Sequence, residues 1–253
     1  MQALALGVPP ERVNLFHNGV DVEAFSPGKS GKKLRDAISV PTGTTLVGFV
    51  GRLEHEKGPD LFLRAAAHVH NVLPNVHFAI VGAGSMLKKL EQMCKQNRLD
   101  RHLHFVDWST DVADVYPALD LMAHTSRSDG TSLVLLEAMA CARPVVGMAV
   151  GGVREMIENE HTGMLVDAND WEALGNEIIR LLEQPRLLKL MGTAARKRVE
   201  ENFNVATNTR RTAELLRRVA MSAENEQKVK TNHKMSQPFN GNGSSNNFHL
   251  RNH

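Results

Sequence analysis

Short apolar runs alternate along the chain with longer segments in which apolar residues recur at helical spacing. The runs predict strands at Leu46–Val50, Val76–Val81, Leu103–Val106, Leu119–His124, Pro144–Met148 and Met164–Val166. The segments between them predict helices at Pro59–Val72, Ser85–Gln96, Val112–Ala118, Ser132–Ala142 and Val153–Glu158. Continuous apolar strands bounded by helices are typical of a parallel sheet that is covered on both faces. The pattern therefore predicts an α/β fold, a doubly wound, Rossmann-like parallel sheet of about six strands.

The first 43 residues do not follow this alternation. They contain one apolar run, Val13 to Phe16, which predicts a short residual strand. The stretch from Gly28 to Gly43 is mostly polar and predicts an exposed linker with room for one helical turn. The predicted sheet domain follows and occupies residues 44–203.

The last part of the chain is helical and then polar. Helices are predicted at Asp170–Glu183 and Pro185–Asn202, and a further helix in residues 204–221, from Ala206 to Met221. Residues 222–253 hold so few apolar side chains that we expect a disordered polar tail.

Composition narrows the class of protein. Thirty lysines and arginines against 28 aspartates and glutamates give a formal net charge of +2, which excludes a general nucleic-acid binder that neutralises many phosphates. No apolar run approaches the roughly 20 residues that cross a bilayer, so we expect no membrane span. The opening residues show no secretory signal pattern, and Cys94 and Cys141 are too few for a disulfide framework. We therefore expect reduced cysteines and a cytoplasmic protein.

Ligands of open parallel sheets bind outside the carboxyl ends of the strands, so the loops there are the candidate sites. The loop after the first strand of the sheet begins with Gly51, which permits a tight turn, and carries the cations Arg52 and Lys57. Two cations beside the start of a helix suit a diphosphate. The alternative is that both cations pair with Glu54 and Glu56 on a solvated loop.

The loop after the second strand, Gly82–Ser85, is rich in glycine and precedes a helix. It has a partial dinucleotide-binding fingerprint, but Leu87 stands where that fingerprint has glycine or alanine. The pattern favours a tight turn.

The loop after the fourth strand leads into a strongly apolar helix that contains Glu137. A carboxylate in a buried helix needs a partner. Asp129 lies eight residues earlier, which would place the two carboxylates about 9 to 12 Å apart, the size of a nucleotide diphosphate. The free amides of Gly130 to Leu133 form a donor group for phosphate oxygens. The alternative is that Asp129 or Ser132 caps the helix and Glu137 bonds a backbone donor.

Five histidines invite a metal-site interpretation: His68, His70, His77, His102 and His104. His68 and His70 are two residues apart on a helix and so face different ways, while His77 belongs to the next strand. We therefore expect these side chains not to converge, and predict no metal site.

The segment from Asp129 to Glu137, within Asp-Gly-Thr-Ser-Leu-Val-Leu-Leu-Glu-Ala-Met-Ala, resembles the Glu-seven-Glu motif of retaining glycosyltransferases of the GT-B fold, family four, also called glycosyl transferases group 1. Further matching segments follow the family order: Asn18–Asp21, Phe25, Pro27, Gly51-Arg52, Glu56–Gly58, Gly82–Gly84, Gly151–Glu155, Thr162–Val166 and Phe203. The resemblance extends from about Val8 to Phe203.

The resemblance implies the second domain of a GT-B enzyme, which holds a nucleotide sugar and needs no metal and no redox cofactor. By resemblance, Arg52 and Lys57 would hold the diphosphate and stabilise the leaving group, and Asp129 would contact the transferred sugar. Glu137 would bond the ribose hydroxyls. The remaining expected donor-binding residues are Gly51, Gly130, Thr131, Ser132, Leu133 and, near the base, Trp108.

Two departures from the family pattern matter. Asp129 stands where the family more often has Glu, which is one methylene longer. The first Rossmann domain, which binds the acceptor in GT-B enzymes, has no counterpart in this sequence, so we expect the helix Val205–Met221 to lack its usual partner surface and to pack poorly.

Three other functions compete with a glycosyltransferase whose acceptor is unknown. The chain could be a non-catalytic nucleotide-sugar-binding fragment or truncated isoform without the acceptor domain, and a sugar epimerase has a similar architecture. An oxidoreductase is disfavoured by the imperfect glycine fingerprint.

Overall fold

In the computed structural model, six parallel strands form one sheet in the order β3-β2-β1-β4-β5-β6. The structure describes residues 6–10, 13–14, 18–41, 43–107 and 112–235, with side chains up to residue 222. The strands are β1 (Leu46–Val50), β2 (His77–Val81), β3 (Leu103–Val106), β4 (Leu121–His124), β5 (Val145–Met148) and β6 (Met164–Val166). The predicted doubly wound α/β sheet is confirmed. Trp108 and the second half of the predicted strand Val13 to Phe16, residues 15–16, lie outside the described residues.

Burial explains why these runs form central strands. Every residue of β1, β4 and β5 is buried, as expected for strands with neighbours on both sides and helices over both faces. The order reverses between β1 and β4, where Val47 pairs with Leu121. In open sheets this switch point forms a crevice outside the carboxyl ends of the strands.

The helices follow the predicted alternation. They are α1 (Lys32–Ala37), α2 (Pro59–Val72), α3 (Leu87–Gln96), α4 (Leu133–Ala140), α5 (Val153–Met156), α6 (Trp171–Leu182), α7 (Pro185–Asn202) and α8 (Val205–Met235). Helix α2 packs on α6, and α4 packs on α7.

The predicted helix Val112–Ala118 is instead two short 3-10 turns, Val112–Asp114 and Tyr116–Ala118. Pro117 lacks the amide hydrogen that a continuous α-helix would need at this point.

The stretch Gly28–Gly43 is more closely attached to the sheet domain than its polarity predicts. It contains α1, whose Leu34 is buried. The guanidinium of Arg35 donates to the carbonyl oxygens of Ala118 and Thr44 and to Oδ2 of Asp120, at 2.7 to 2.9 Å. These bonds join the segment to the turn that precedes β4.

The carboxyl-terminal region differs from the prediction of a disordered tail from residue 222. Helix α8 continues to Met235, and residues 236–253 lie outside the described residues. Residues 222–235 contain no glycine or proline and many good helix formers, which explains the continuation. Two compact units, residues 1–209 and 210–253, divide the chain, and the sheet lies in the first.

No helix within the described residues is both long and apolar enough to span a bilayer.

Candidate functional site

A cavity of about 600 Å³ opens at the switch point between β1 and β4. Its walls come from the ends of these two strands, the loops after them and the first turn of α4. The lining residues are Phe49, Val50, Gly51, Arg52, Lys57, Ala83, Ala123, His124, Ser126, Asp129, Thr131, Ser132, Leu133 and Val134. A concave site with a few charged groups at this place in an α/β sheet is the expected location of a ligand.

The cavity brings together seven of the residues that the sequence nominated: Gly51, Arg52, Lys57, Asp129, Thr131, Ser132 and Leu133. Gly130 and Glu137 do not line it, although both belong to the same loop and helix. Trp108 is outside the described residues. The role of each residue remains a prediction.

Lys57 reaches the cavity because the backbone after it is bonded to the loop after β4. The hydroxyl of Thr125 donates to the carbonyl oxygen of Gly58 at 2.8 Å. Gly58 has a φ of +66°, and a Cβ there would overlap the carbonyl oxygen of Thr125. Only glycine therefore permits this close approach of the two loops.

Arg127 provides a second link between these loops. Its guanidinium donates to both carboxylate oxygens of Asp60, at 2.9 and 2.8 Å, and to the carbonyl oxygen of His55 at 2.6 Å. Burial acts to raise the pKa of Asp60, but the hydrogen bonds and charge of Arg127 outweigh it and lower that pKa. The paired ions hold the start of α2 against the loop that carries Asp129.

The Gly151-Gly152 pair after β5 supports the Asp129 loop from the other side. The amide of Gly152 donates to the carbonyl oxygen of Asp129 at 3.2 Å. A Cβ at Gly151 would overlap that oxygen, and a Cβ at Gly152 would overlap the carbonyl oxygen of Gly130. These glycines are needed for close packing of backbone on backbone.

Asp129 is the centre of the polar network in the cavity. Its Oδ2 accepts from Nζ of Lys57 at 2.9 Å and from Oγ of Ser126 at 3.2 Å, and lies 3.2 Å from Nε2 of His124. The Asp129 side chain is 9% exposed. Burial acts to raise its pKa, but the hydrogen bonds and charges of His124 and Lys57 prevail and hold the pKa well below its usual range.

The alternative in which both loop cations pair with Glu54 and Glu56 holds for Arg52 and not for Lys57. Arg52 pairs with Glu56, and both side chains are largely exposed. Lys57 instead pairs with Asp129, and Glu54 accepts hydrogen bonds from the amide and hydroxyl of Ser85. An exposed ion pair is weak, so Arg52 can exchange its partner at little cost.

His124 was missed by the sequence analysis. It is the last residue of β4, is 3% exposed, and lies 3.1 Å from Oγ of Ser132 as well as 3.2 Å from Asp129. The available signal was a polar residue at the end of an otherwise apolar strand, at the edge of the sheet where ligands bind.

The amino terminus of α4 adjoins the cavity. Ser132 is the N-cap residue of α4, but no side chain makes a capping hydrogen bond at this end of the described helix. Thr131, Leu133 and Val134 line the cavity beside this terminus. Uncapped amides and the positive end of the helix dipole favour an anion there.

Glu137 has a side-chain partner, as the sequence analysis required, but the partner is not a backbone group. The hydroxyl of Tyr116 donates to Oε2 of Glu137 at 2.5 Å, and Tyr116 is fully buried. Burial raises the pKa of Glu137, and the Tyr116 bond opposes that shift only in part. Burial and the charge of Glu137 raise the pKa of Tyr116 well above its ordinary value.

The Gly82–Ser85 loop is a tight turn packed on the loop after β1. The amide of Leu53 donates to the carbonyl oxygen of Ala83 at 2.8 Å. A Cβ at Gly82 would overlap the carbonyl oxygen of Gly51. This contact explains the first glycine of the loop without a dinucleotide, and Ala83 reaches the cavity wall.

The prediction that the histidines do not converge is wrong for four of the five. Ring centroids lie 4.4 Å apart for His70 and His102, 5.0 Å for His77 and His102, and 5.3 Å for His77 and His104. Parallel pairing of β2 with β3 brings His77, His102 and His104 together at the amino ends of the strands, and His70 reaches them from α2. His68 faces elsewhere and bonds Asn176.

This histidine cluster (His70, His77, His102 and His104) is not arranged as a metal centre. Among the described residues, no group of three or more His, Cys, Asp or Glu side chains is placed to hold a metal ion.

The sequence of residues 31–198 matches the family model of glycosyl transferases group 1. The chain belongs to this family. A curated relative, the D-inositol 3-phosphate glycosyltransferase of Mycobacterium tuberculosis, is 34% identical to this group 1 chain over 200 residues. That match covers 75% of the chain and 41% of the relative, so the chain spans less than half of the relative's length.

Solved structures of glycosyltransferases are similar to this group 1 chain. HepE of Anabaena, solved with UDP-glucose, is 28% identical with a TM-score of 0.75, over 84% of this chain and 59% of HepE. The C-terminal domain of a group 1 glycosyl transferase, LpcC of Francisella tularensis, is 26% identical with a TM-score of 0.68. That match covers 74% of this chain and 100% of the LpcC domain.

Proposed function

We propose that this chain is the donor-binding half of a retaining glycosyltransferase that transfers a sugar from a UDP-sugar to an acceptor. The observation that supports it best is the cavity at the β1–β4 switch point, where two cations, an ionised carboxylate and the amino terminus of α4 meet. The full match to an isolated C-terminal domain agrees with placement as the second GT-B domain.

The diphosphate would lie between the two cations and the first turn of α4. Lys57 and Arg52 both line the cavity, and Arg52 would leave its exposed pair with Glu56 to bind the diphosphate. As the bond between sugar and phosphate breaks, negative charge grows on the departing diphosphate. Fixed cations and helix amides stabilise that charge more than they stabilise the ground state, which lowers the barrier. With these groups supplying the positive charge, the proposed mechanism needs neither a metal ion nor a redox cofactor.

The two carboxylates would take separate parts of the donor. Asp129 is ionised at neutral pH because its pKa is lowered, and can therefore only accept hydrogen bonds, which suits hydroxyls of the transferred sugar. Glu137 keeps Oε2 on Tyr116 and would use its other oxygen for the ribose hydroxyls. The amides from Gly130 to Leu133 would meet the phosphates and sugar.

UDP is the proposed nucleotide because HepE was solved with UDP-glucose. We further propose that the acceptor is bound by a partner domain outside this sequence, since the curated relatives are more than twice as long as the matched region.

A second candidate is a nucleotide-sugar-binding chain without transfer activity. The observation that favours it is that this chain corresponds to one domain of its longer relatives.

Calorimetric titration of the purified chain with UDP, UDP-glucose and GDP tests the proposal, alongside an assay of UDP-glucose hydrolysis. We expect UDP and UDP-glucose to bind and Lys57→Met to weaken both by about tenfold or more. Lys89→Met, which removes an exposed lysine of α3, is the matched control and should change neither. Absence of binding to all three nucleotides would refute the proposal, and binding without hydrolysis would favour the second candidate.

A further inference from the structure

The hydrogen bonds to the Asp129 carboxylate all end on one oxygen. Lys57, His124 and Ser126 place donor atoms 2.9, 3.2 and 3.2 Å from Oδ2. Within the described part of the chain, Oδ1 accepts no hydrogen bond and is not fully buried. The carboxylate is thus held by one oxygen and presents the other at the cavity.

The chemistry of His124 fixes its role in this arrangement. An ionised carboxylate only accepts hydrogen bonds, so the proton must be on Nε2 of His124. The other ring nitrogen, Nδ1, is buried and has no hydrogen-bond partner among the described residues. Nε2, with its hydrogen, is therefore the side of the ring that faces Asp129.

His124 is itself held in place. It is 3% exposed, and Oγ of Ser132 and Oγ of Ser126 lie 3.1 and 3.4 Å from the same Nε2. Its backbone belongs to β4, which pairs with β5 through His124 and Gly147. A donor on a ring held by a central strand positions a partner more rigidly than an ammonium on the long side chain of Lys57 does.

We propose that His124 is a positioning residue that turns Oδ1 of Asp129 toward a hydroxyl of the donor sugar. The inference rests on the proposed function, because it assumes that a nucleotide sugar occupies the cavity. Asp129 has one methylene fewer than the glutamate that is common in the family, so its carboxylate can adopt fewer orientations. A single well-placed donor can therefore determine which of its oxygens faces the ligand. His124 then acts on recognition of the sugar and leaves recognition of the nucleotide unchanged.

The test compares the affinities of UDP and UDP-glucose, measured by calorimetry, in the native chain and in three variants. His124→Leu removes the donor and keeps an apolar side chain in the buried position. His124→Gln restores an N–H near the place of Nε2. Ser126→Ala removes a different donor to the same oxygen and serves if His124→Leu does not fold.

We expect His124→Leu to leave the UDP affinity within about twofold and to weaken UDP-glucose by about tenfold. His124→Gln should recover most of the lost UDP-glucose affinity. Ser126→Ala should weaken UDP-glucose by about threefold with UDP unchanged. Equal losses of UDP and UDP-glucose in His124→Leu, or no loss of either, would overturn the positioning role.

The two proposals fail in distinguishable ways. If the native chain binds neither UDP nor UDP-glucose, the proposed function fails. If the native chain binds both and the variants do not separate sugar from nucleotide, only the role of His124 fails.

Discussion

The ammonium group of Lys57 lies 2.9 Å from Oδ2 of Asp129, although 72 positions separate the two residues. The pair joins the loop after β1 to the loop after β4 across the switch point. Both side chains are largely shielded from water, at 25% and 9% exposure. Removal of either partner leaves the other charge shielded and unpaired, so we expect an effect on the stability of the fold as well as on binding.

Removal of Lys57 should destabilise the chain. We expect Lys57→Met to lower the free energy of unfolding by about 1 to 3 kcal/mol, because Asp129 keeps its charge but loses a charged donor. Urea unfolding measures this, with Lys89→Met as the exposed control. The double variant Lys57→Met with Asp129→Asn should lose less stability than the sum of the losses in the two single variants. Strict additivity of the two single losses would contradict a direct interaction.

Asp129 should make stability depend on acid pH. Its pKa is lower in the folded chain than in the unfolded chain, so its contribution is present above the unfolded value of about 4 and is lost as the pH falls below it. Urea unfolding between pH 6 and pH 3 should show this loss. Asp129→Asn should remove part of the slope, and an unchanged slope would argue against the lowered pKa.

The histidine cluster should produce a separate loss of stability at a higher pH. Burial and mutual repulsion lower the pKa of His70, His77 and His104, so the folded chain favours the neutral rings over the protonated rings. Stability should therefore be full above the unfolded pKa of about 6.5 and fall as the pH drops toward 5. The variant His77→Gln should show a smaller fall, whereas His161→Gln, at an exposed position, should behave as the native chain does.

Tyr116→Phe should reveal the bond to Glu137. Loss of the hydroxyl should destabilise the chain by about 1 to 2 kcal/mol at pH 7, because the half-buried carboxylate of Glu137 loses a donor. The pKa of Glu137 is raised by burial and should rise further in the variant, so the penalty should be smaller near pH 5. Urea unfolding at both pH values tests this, and an equal penalty at both would show that the hydroxyl does not interact with the charged form.

Gly152→Ala should disturb the Asp129 loop by sterics alone. Gly152 has an ordinary helical backbone conformation, but an added Cβ would overlap the carbonyl oxygen of Gly130. We expect about 1 to 3 kcal/mol of destabilisation in urea unfolding and weaker UDP-glucose binding. Gly28→Ala is the matched control, because nothing lies within 4 Å of its added Cβ. Native behaviour of Gly152→Ala would show that the loop moves freely.

Local pattern alone predicted the parallel sheet and the loops that form the candidate site. One helix and three strands have the predicted bounds: Pro59–Val72, Leu46–Val50, Leu103–Val106 and Met164–Val166. Their bounds could be predicted because the buried side of a helix or strand requires apolar residues at the spacing of that element. The loops that carry Lys57 and Asp129 could be nominated as well, since ligands of a parallel sheet bind at the carboxyl ends of its strands.

Only the tertiary structure decided which of these polar groups meet. Hydrophobic period shows that a strand is buried, but it does not show which strand lies beside it. The order β3-β2-β1-β4-β5-β6 put Lys57 beside Asp129, with His124 as a further partner, and pairing of β2 with β3 gathered the histidine cluster that helix geometry alone could not predict. Such contacts join residues far apart in the chain, and their distances depend on packing of whole elements, which no local sequence window contains.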